Sequence, residues 1–434
     1  MKQLLFVFAL LVCPAAFTQA GDWQQWRGPH HNGSSDETGL PTKWSKTENI
    51  AWSATLPGPS AATPIVSGDR VFISSTAPDS DTLVALCLSR ENGKVLWSRD
   101  VGKGIGKDPR SYFSAPSPVT DGKLVFFFYG NGEMVALDIE GEKQWSKNFG
   151  PFAFLWTFST TPLLYDGKLY LQVLQRDTAV KGSGERATGN ESYLLAIDPK
   201  SGETLWRAER KNEAVAESRE AFSSPVPYEF DGKTQILVVG GDALSGHDPK
   251  TGKELWRWGT WNPDRIGHWR LVPSPVAGGG VILACAPKKN PIYAIKAGGM
   301  GPLDDSSIAW TSKDSRTLTS DVPTPAFYDG NFFVLSKSQR AVSRVEPQTG
   351  KIKWSTTLES RAQLEASPLA ADGKIYTLDF DGTVNVLNAK SGEIINTIEM
   401  GDEPRTKDIV RSSIVAAHGQ LYIRTNQKLY CVGK

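Results

Sequence analysis

Cysteine is scarce: four in 434 residues, of which Cys13 lies in an N-terminal apolar stretch. The remaining Cys87, Cys285 and Cys431 are odd in number and far apart, so no disulfide framework is indicated. The five histidines show no ligand-like spacing with them, which argues against a Cys/His metal site. No C-x-x-C-H occurs, so no haem c is attached. An excess of charge is missing as well. Lys plus Arg number 48 against 47 Asp plus Glu, a net +1 that gives no electrostatic case for nucleic acid or an anionic membrane. No segment carries a long helical period, and no apolar run after the N-terminal one could span a bilayer.

What the chain has instead is a repeated sentence. Ser192–Arg207, SYLLAIDPKSGETLWR, reads as an apolar strand, a polar turn closed by Ser201-Gly202, and a second strand ending in tryptophan. Related units end at Trp97, Trp145, Trp256, Trp310 and Trp354, with a fragment at Trp52 and Asn396 where a further tryptophan should stand. From Trp52 to Trp354 the tryptophans lie 45, 48, 61, 50, 54 and 44 residues apart. A second marker runs in step: Thr63-Pro64, Ser117-Pro118, Thr161-Pro162, Ser224-Pro225, Ser274-Pro275, Thr324-Pro325 and Ser367-Pro368, with Ser413-Ile414 as a degenerate eighth. Two markers with one period specify a repeat architecture.

Each repeat reads as four strands, most cleanly in blade two. There Ser117-Pro118-Val119 opens an inner strand, and the Asp121-Gly122 turn, Leu124–Gly130, the Asn131-Gly132 turn, MVALD, the Gly141 turn and KQW follow. Asp-Gly returns at 166–167, 231–232, 329–330 and 372–373, where a tight hairpin favours positive φ at both residues. Four-stranded units of 40 to 60 residues predict an all-β, eight-bladed β-propeller of antiparallel blades. The last segment supplies only three strands, so NIAWSATL around Trp52 is expected to complete it and remove an exposed edge between first and last blades. Trp52, Trp97, Trp145, Trp206, Trp256, Trp310 and Trp354 are expected to lie between blades, each against the next copy's turn. Cys87 and Cys431 align with Ala136, Ala196 and Ala294 and so read as small buried residues.

Residues 1–20 read as a secretory signal peptide, with Lys2, an apolar Leu4–Val12 and a small-residue cleavage site ending at Ala20. Acylation at Cys13 is disfavoured because Val12 is bulky. The mature chain is expected in the periplasm or outside the cell, as a monomer without a transmembrane segment. Residues 21–50, rich in Trp, Gly and Pro, suggest an extended leader packed over the body, and 51–434 the propeller. Residues 177–191 read as a polar insertion in blade three, and Lys211–Glu220 as a short helix or charged loop. Asn32-Gly33-Ser34 and Asn190-Glu191-Ser192 fit a glycosylation sequon, relevant in a eukaryotic secretory pathway.

The A-x-D-x-x-(S/T)-G-x-x-x-W unit of Ala196–Trp206 resembles the repeat of the pyrroloquinoline-quinone (PQQ)-like propellers, and the likeness covers nearly all of the mature chain. One branch of that family comprises quinoprotein alcohol dehydrogenases holding PQQ and Ca²⁺. The other comprises non-catalytic propellers such as the BamB-type subunit of the outer-membrane assembly machinery. The opening DWQQWRGP…GLPTKWS resembles a leader of exported bacterial PQQ-like proteins. The dehydrogenases carry adjacent cysteines against the cofactor and long insertions over it. This chain has no adjacent cysteines and little room for such insertions. The resemblance therefore implies a scaffold that binds a protein or peptide on its rim, with no catalytic residues, no metal and no cofactor. PQQ with Ca²⁺ is the alternative, and carbohydrate binding a third.

Residues just before each (S/T)-P enter the central funnel. They are Tyr112-Phe113, Trp156, Arg219, Glu220, His268, Trp269, Arg270, Asp321, Glu365 and Arg411. Arg219, Arg270 and Arg411 could grip carboxylates, and Trp156 or Trp269 could stack a flat ring or a sugar. Equally, Arg219 could pair with Glu220 and Arg411 with Glu365 across a wet channel. His268 near Asp264 and Asp321 lacks any accompanying G-x-S-x-G nucleophile. Asp379–Gly382, DFDG, is explained as turn chemistry rather than a calcium loop.

Overall fold

The computed structural model describes residues 21–77, 81–104, 112–177, 190–313, 315, 317–402 and 409–433. The signal-peptide reading, Cys13 and most of the blade-three insertion lie outside the described residues. Eight sheets of antiparallel blade strands follow one another, the first seven built from inner to outer strand in chain order. Blade one is representative: Ile65–Ser67, Arg70–Thr76, Thr82–Ser89 and Val95–Lys103. The second and third strands of each blade are almost wholly buried, because both faces meet a neighbouring blade; Phe126, Phe127 and Phe128 in blade two are all shielded from solvent. Blade eight takes Val415–Ala417, Gln420–Arg424 and Lys428–Val432 from the C-terminus and its outer strand, Ile50–Thr55, from the N-terminus. Trp52 stands opposite Cys431 in that seam. The ring is closed by the two ends of the chain.

The turns obey local chemistry. Asp166, Asp231, Asp329 and Asp372 have φ of 46–52° and their glycines 65–69°, the mirror-image turn whose twist matches a hairpin. The Asp121-Gly122 turn of blade two differs, since only Gly122 is at positive φ (85°) and the Asp121 carboxylate instead accepts the Lys123 and Leu124 amides. Each outer strand pairs through a β-bulge beside the residue opposite its tryptophan, as at Ala196/Ile197 and Cys87/Leu88. Cys87 and Cys431 are fully buried opposite Trp97 and Trp52.

Six tryptophans reach the next blade's turn. Trp52, Trp97, Trp145, Trp310 and Trp354 donate their indole N–H to Arg90, Ile139, Pro199, Pro347 and Ala389 carbonyls at 2.6–3.2 Å. Trp206 covers the Gly252 turn so closely that a Cβ there would stand 2.5 Å from its ring. Trp256 departs from the pattern. It donates within its own blade, to Gln235 Oε1 at 2.6 Å. Blade five's longer turn sends Gly301–Leu303 to pair in parallel with blade four's outer strand, Glu254–Trp258, and takes the place of a compact turn. At Asn396 the leader substitutes, with Asn396 Nδ2 donating to Thr42 O and the Tyr376 hydroxyl to Pro41 O.

The (S/T)-P marker proves to be an axial girdle. Thr63 N–H donates to Ser117 Oγ, Ser117 to Thr161, Thr161 to Ser224, Ser224 to Ser274, Ser274 to Thr324, Thr324 to Ser367, Ser367 to Ser413, and Ser413 back to Thr63 Oγ1. All eight bonds lie between 2.8 and 3.3 Å. The following proline confines the hydroxyl residue to extended backbone. Ser413 keeps the hydroxyl without the proline, and the ring closes through it.

Candidate functional site

Loops that lead into the inner strands lie on one face of the wheel, and the inner hairpin turns lie on the other. The leader crosses the second face. Trp23 pairs with Val66, Gln24 O accepts Thr120 N–H, and Leu164 N–H donates to Gln25 Oε1. Further along, Asn32 and Gly33 carbonyls accept from Phe327 and Ala370, and the Glu37 carboxylate accepts the His418 and Gly419 amides. Arg27 is buried, with its guanidinium on the Pro325 carbonyl at 2.5 Å and the Pro368 carbonyl at 3.4 Å; burial pushes its pKa down to about 9. One segment thereby ties six blades together and stops the axial channel. The Asn32 sequon forms part of this stopper, with Asn32 Oδ1 accepting from the Ser34 amide and hydroxyl.

A cavity of about 320 Å³ remains above the stopper. Trp26 of the leader and seven of the eight girdle residues line it, with Trp156 and Phe222 as aromatic walls. Among the described residues the charged lining is Arg270, Lys288, Lys337, Arg411, Asp321 and Glu365. Glu365 is shared, with one oxygen against Lys337 and the other 3.1 Å from Arg411 Nε. Arg411 also lies 5.2 Å over the Phe380 ring. Arg270 pairs with Glu217 and lies 6.0 Å over Trp156. Asp321 Oδ1 accepts the Lys288 amide at 2.7 Å and pins the turn that carries that lysine.

Of the residues expected at the funnel, Trp156, Arg270, Asp321, Glu365 and Arg411 line this cavity; Tyr112, Arg219, Glu220, His268 and Trp269 do not. Arg219 faces Asp177 at 3.5 Å rather than Glu220. Glu220 is fully buried against Arg176 and the Leu155 amide, and desolvation raises its pKa to about 7. The Ala216–Arg219 3₁₀ turn holds these groups beside the funnel rather than in it. His268 is exposed, and Trp269 is anchored through its amide to Ser218 Oγ. Sequence reasoning missed Trp26, Lys288 and Lys337. Lys288 and Lys337 sit in turns between second and third strands, on the mouth side. Lys288 and Lys289 hold φ of 59° and 66° where blade two uses Asn-Gly, a costly choice for two lysines.

Asp379 accepts from Ser360 Oγ and from the Asp381 and Thr383 amides, so its turn is closed by local hydrogen bonds. Among the described residues no group of three or more His, Cys, Asp or Glu could hold a metal. Cys87, Cys285 and Cys431 are buried, with thiols pushed up to about 12, and none lines the cavity.

Wheel, girdle and funnel define a PQQ-like eight-bladed propeller. The chain belongs to the family described as outer membrane protein assembly factor BamB, whose model matches residues 34–154, 152–303 and 302–432. Relatives divide between two kinds. Methanol dehydrogenase [cytochrome c] subunit 1 of Paracoccus denitrificans is 27% identical over 46% of this chain and 31% of its own. Outer membrane protein assembly factor BamB of Shewanella oneidensis is 24% identical over 66% of this chain and 68% of its own. The chain thus spans about a third of the dehydrogenase subunit's length. Among solved structures, a europium-containing methanol dehydrogenase superposes with a TM-score of 0.71 at 10% identity, covering 95% of this chain and 98% of that one. BamB from Moraxella catarrhalis gives 0.55 at 16%, covering 88% and 98%. These likenesses show the fold. No helix among the described residues is long and apolar enough to cross a membrane.

Proposed function

We propose that this chain is an exported, non-enzymatic scaffold that binds a segment of a protein partner at the mouth of its funnel, in the manner of an assembly factor. The observation that carries this reading is the state of the mouth charges. Both oxygens of Glu365 are taken by cations, Asp321 Oδ1 holds a backbone amide, and Arg270 is matched by Glu217. Among the described residues of the cavity lining there is no imidazole, and each of the two carboxylates has at least one oxygen engaged. Calcium asks for six to eight hard oxygen ligands, several of them carboxylate. The cavity's two carboxylates are engaged and its remaining charges are cationic, so this donor set does not fit a PQQ–Ca²⁺ pair. Trp156 carries a guanidinium over its ring, which leaves one face fewer for a stacked sugar.

Two measurements test the reading together. Titration with PQQ and Ca²⁺ is expected to show no saturable uptake and no dye-linked alcohol oxidation. A photo-crosslinker at Leu155 or Val215, apolar side chains exposed by 41% and 43% on the loops of the mouth face, is expected to give discrete adducts with envelope proteins. Stoichiometric PQQ uptake, or no adduct at either position, would overturn it.

A further inference from the structure

We infer that the axial girdle is an anion receptor, and that the funnel takes a carboxylate carried on the acidic tip of a partner's chain. This rests on the scaffold reading and names its ligand chemistry. A Ser or Thr hydroxyl has one hydrogen to donate besides its lone pairs. In the girdle every hydroxyl accepts the amide of the preceding blade, and none of the eight donates a bond to a protein acceptor among the described residues. The wheel thus holds a circle of O–H groups with their hydrogens unspent, and seven of these residues line the cavity.

The charges point the same way. Among the described residues four cationic side chains and two carboxylates line the space; with Glu217, which pairs with Arg270, counted in, cations still exceed carboxylates by one in a molecule that is almost neutral. The Lys288 ammonium has no ion-pair partner among the described residues and is carried on a turn with φ of 59°, pinned by Asp321. Donors outnumber acceptors. A carboxylate, which only accepts, is the complement of such a lining. The leader lies across the far end, with Trp26 in the lining, and the charged side chains stand towards the mouth. At about 320 Å³ the space lies near the lower end of small-ligand pockets, about 300–1,000 Å³. It admits the tip of a chain and not a folded surface.

Calorimetric titration of the protein with a C-terminally amidated tetraglutamate peptide, the matching amidated tetraglutamine peptide and sodium succinate tests this. Saturable binding of the glutamate peptide only, weakening as salt rises, is expected. Lys288→Asn, which keeps the amide to Asp321 and tolerates positive φ, should weaken it about fivefold, the scale of one partly exposed charge pair. Arg411→Gln, leaving Glu365 to Lys337, should weaken it further. Succinate binding as tightly as the peptide supports the receptor with a free small acid as ligand; a much tighter peptide supports a partner's tail. Equal binding of both peptides, no binding of any probe, or indifference to Lys288→Asn overturns the receptor. The scaffold reading would then stand or fall on the crosslinks.

Discussion

Replacing Thr324 by valine isolates one link of the girdle. Thr324 is 2% exposed, its Oγ1 accepts the Ser274 amide at 3.0 Å, and its hydroxyl donates to no protein group among the described residues. Valine keeps the volume and removes the acceptor, so the Ser274 N–H is orphaned where side chains surround it. An unmade buried bond of this kind costs about 1–3 kcal/mol. Unfolding entropy of about 2.1 cal/mol/K per residue, carried over a chain of this length, converts that to a fall in Tm of about 1–3 °C. Thr324→Ser is the counterpart: it keeps the oxygen and loses a methyl worth at most about 0.8 kcal/mol. Calorimetry should rank native, serine and valine in that order. Hydrogen exchange should quicken at the Ser274 amide in the valine variant alone. A valine variant as stable as the native chain, with unchanged exchange at Ser274, would refute the claim that the ring joins blade to blade.

Two further outcomes follow from the same packing. Gly202→Ala puts a Cβ 2.8 Å from the Trp145 ring at φ 71° and should destabilise by about 2 kcal/mol or more, measured by denaturant midpoint and tryptophan emission. His247 donates from Nδ1 to the Gly252 carbonyl at 3.0 Å, is buried beside Arg210, and has its pKa lowered to about 4 from 6.5. The unfolded chain therefore binds a proton that the folded chain refuses between those values, so stability is lost as pH falls from 6.5 towards 4. In His247→Gln that acid-side decline in Tm should be shallower; an identical decline would remove His247 from the account.

Much of the wheel was legible because its physics is local and repeated. Asp-Gly turns, alternating apolar strands and a tryptophan every 44 to 61 residues are properties of neighbours along the chain. The shortage of one strand at the C-terminus likewise announced the seam at Trp52. The site was less legible, since a funnel collects one or two side chains from blades far apart in sequence. Proximity to an (S/T)-P locates Trp156, Arg270, Asp321, Glu365 and Arg411 at the cavity, but equally selects Arg219 and Glu220, which the 3₁₀ turn carries aside to Asp177 and Arg176. Lys288 and Lys337 come from turns between second and third strands, away from the (S/T)-P marker, and Trp26 from a leader outside the repeat.

The amino-acid sequence by itself determined the number of blades, their strand order and the residue that opens each one, because a hydroxyl before proline and an indole after a glycine turn recur at the same place in successive repeats. Only the tertiary structure decided that eight hydroxyls close into one circle, that blade four's tryptophan turns back on its own sheet, and that residues 22–37 stop the channel. Those outcomes depend on distances between segments as much as 396 residues apart, and such distances are set when the ring closes and every blade is held against the next.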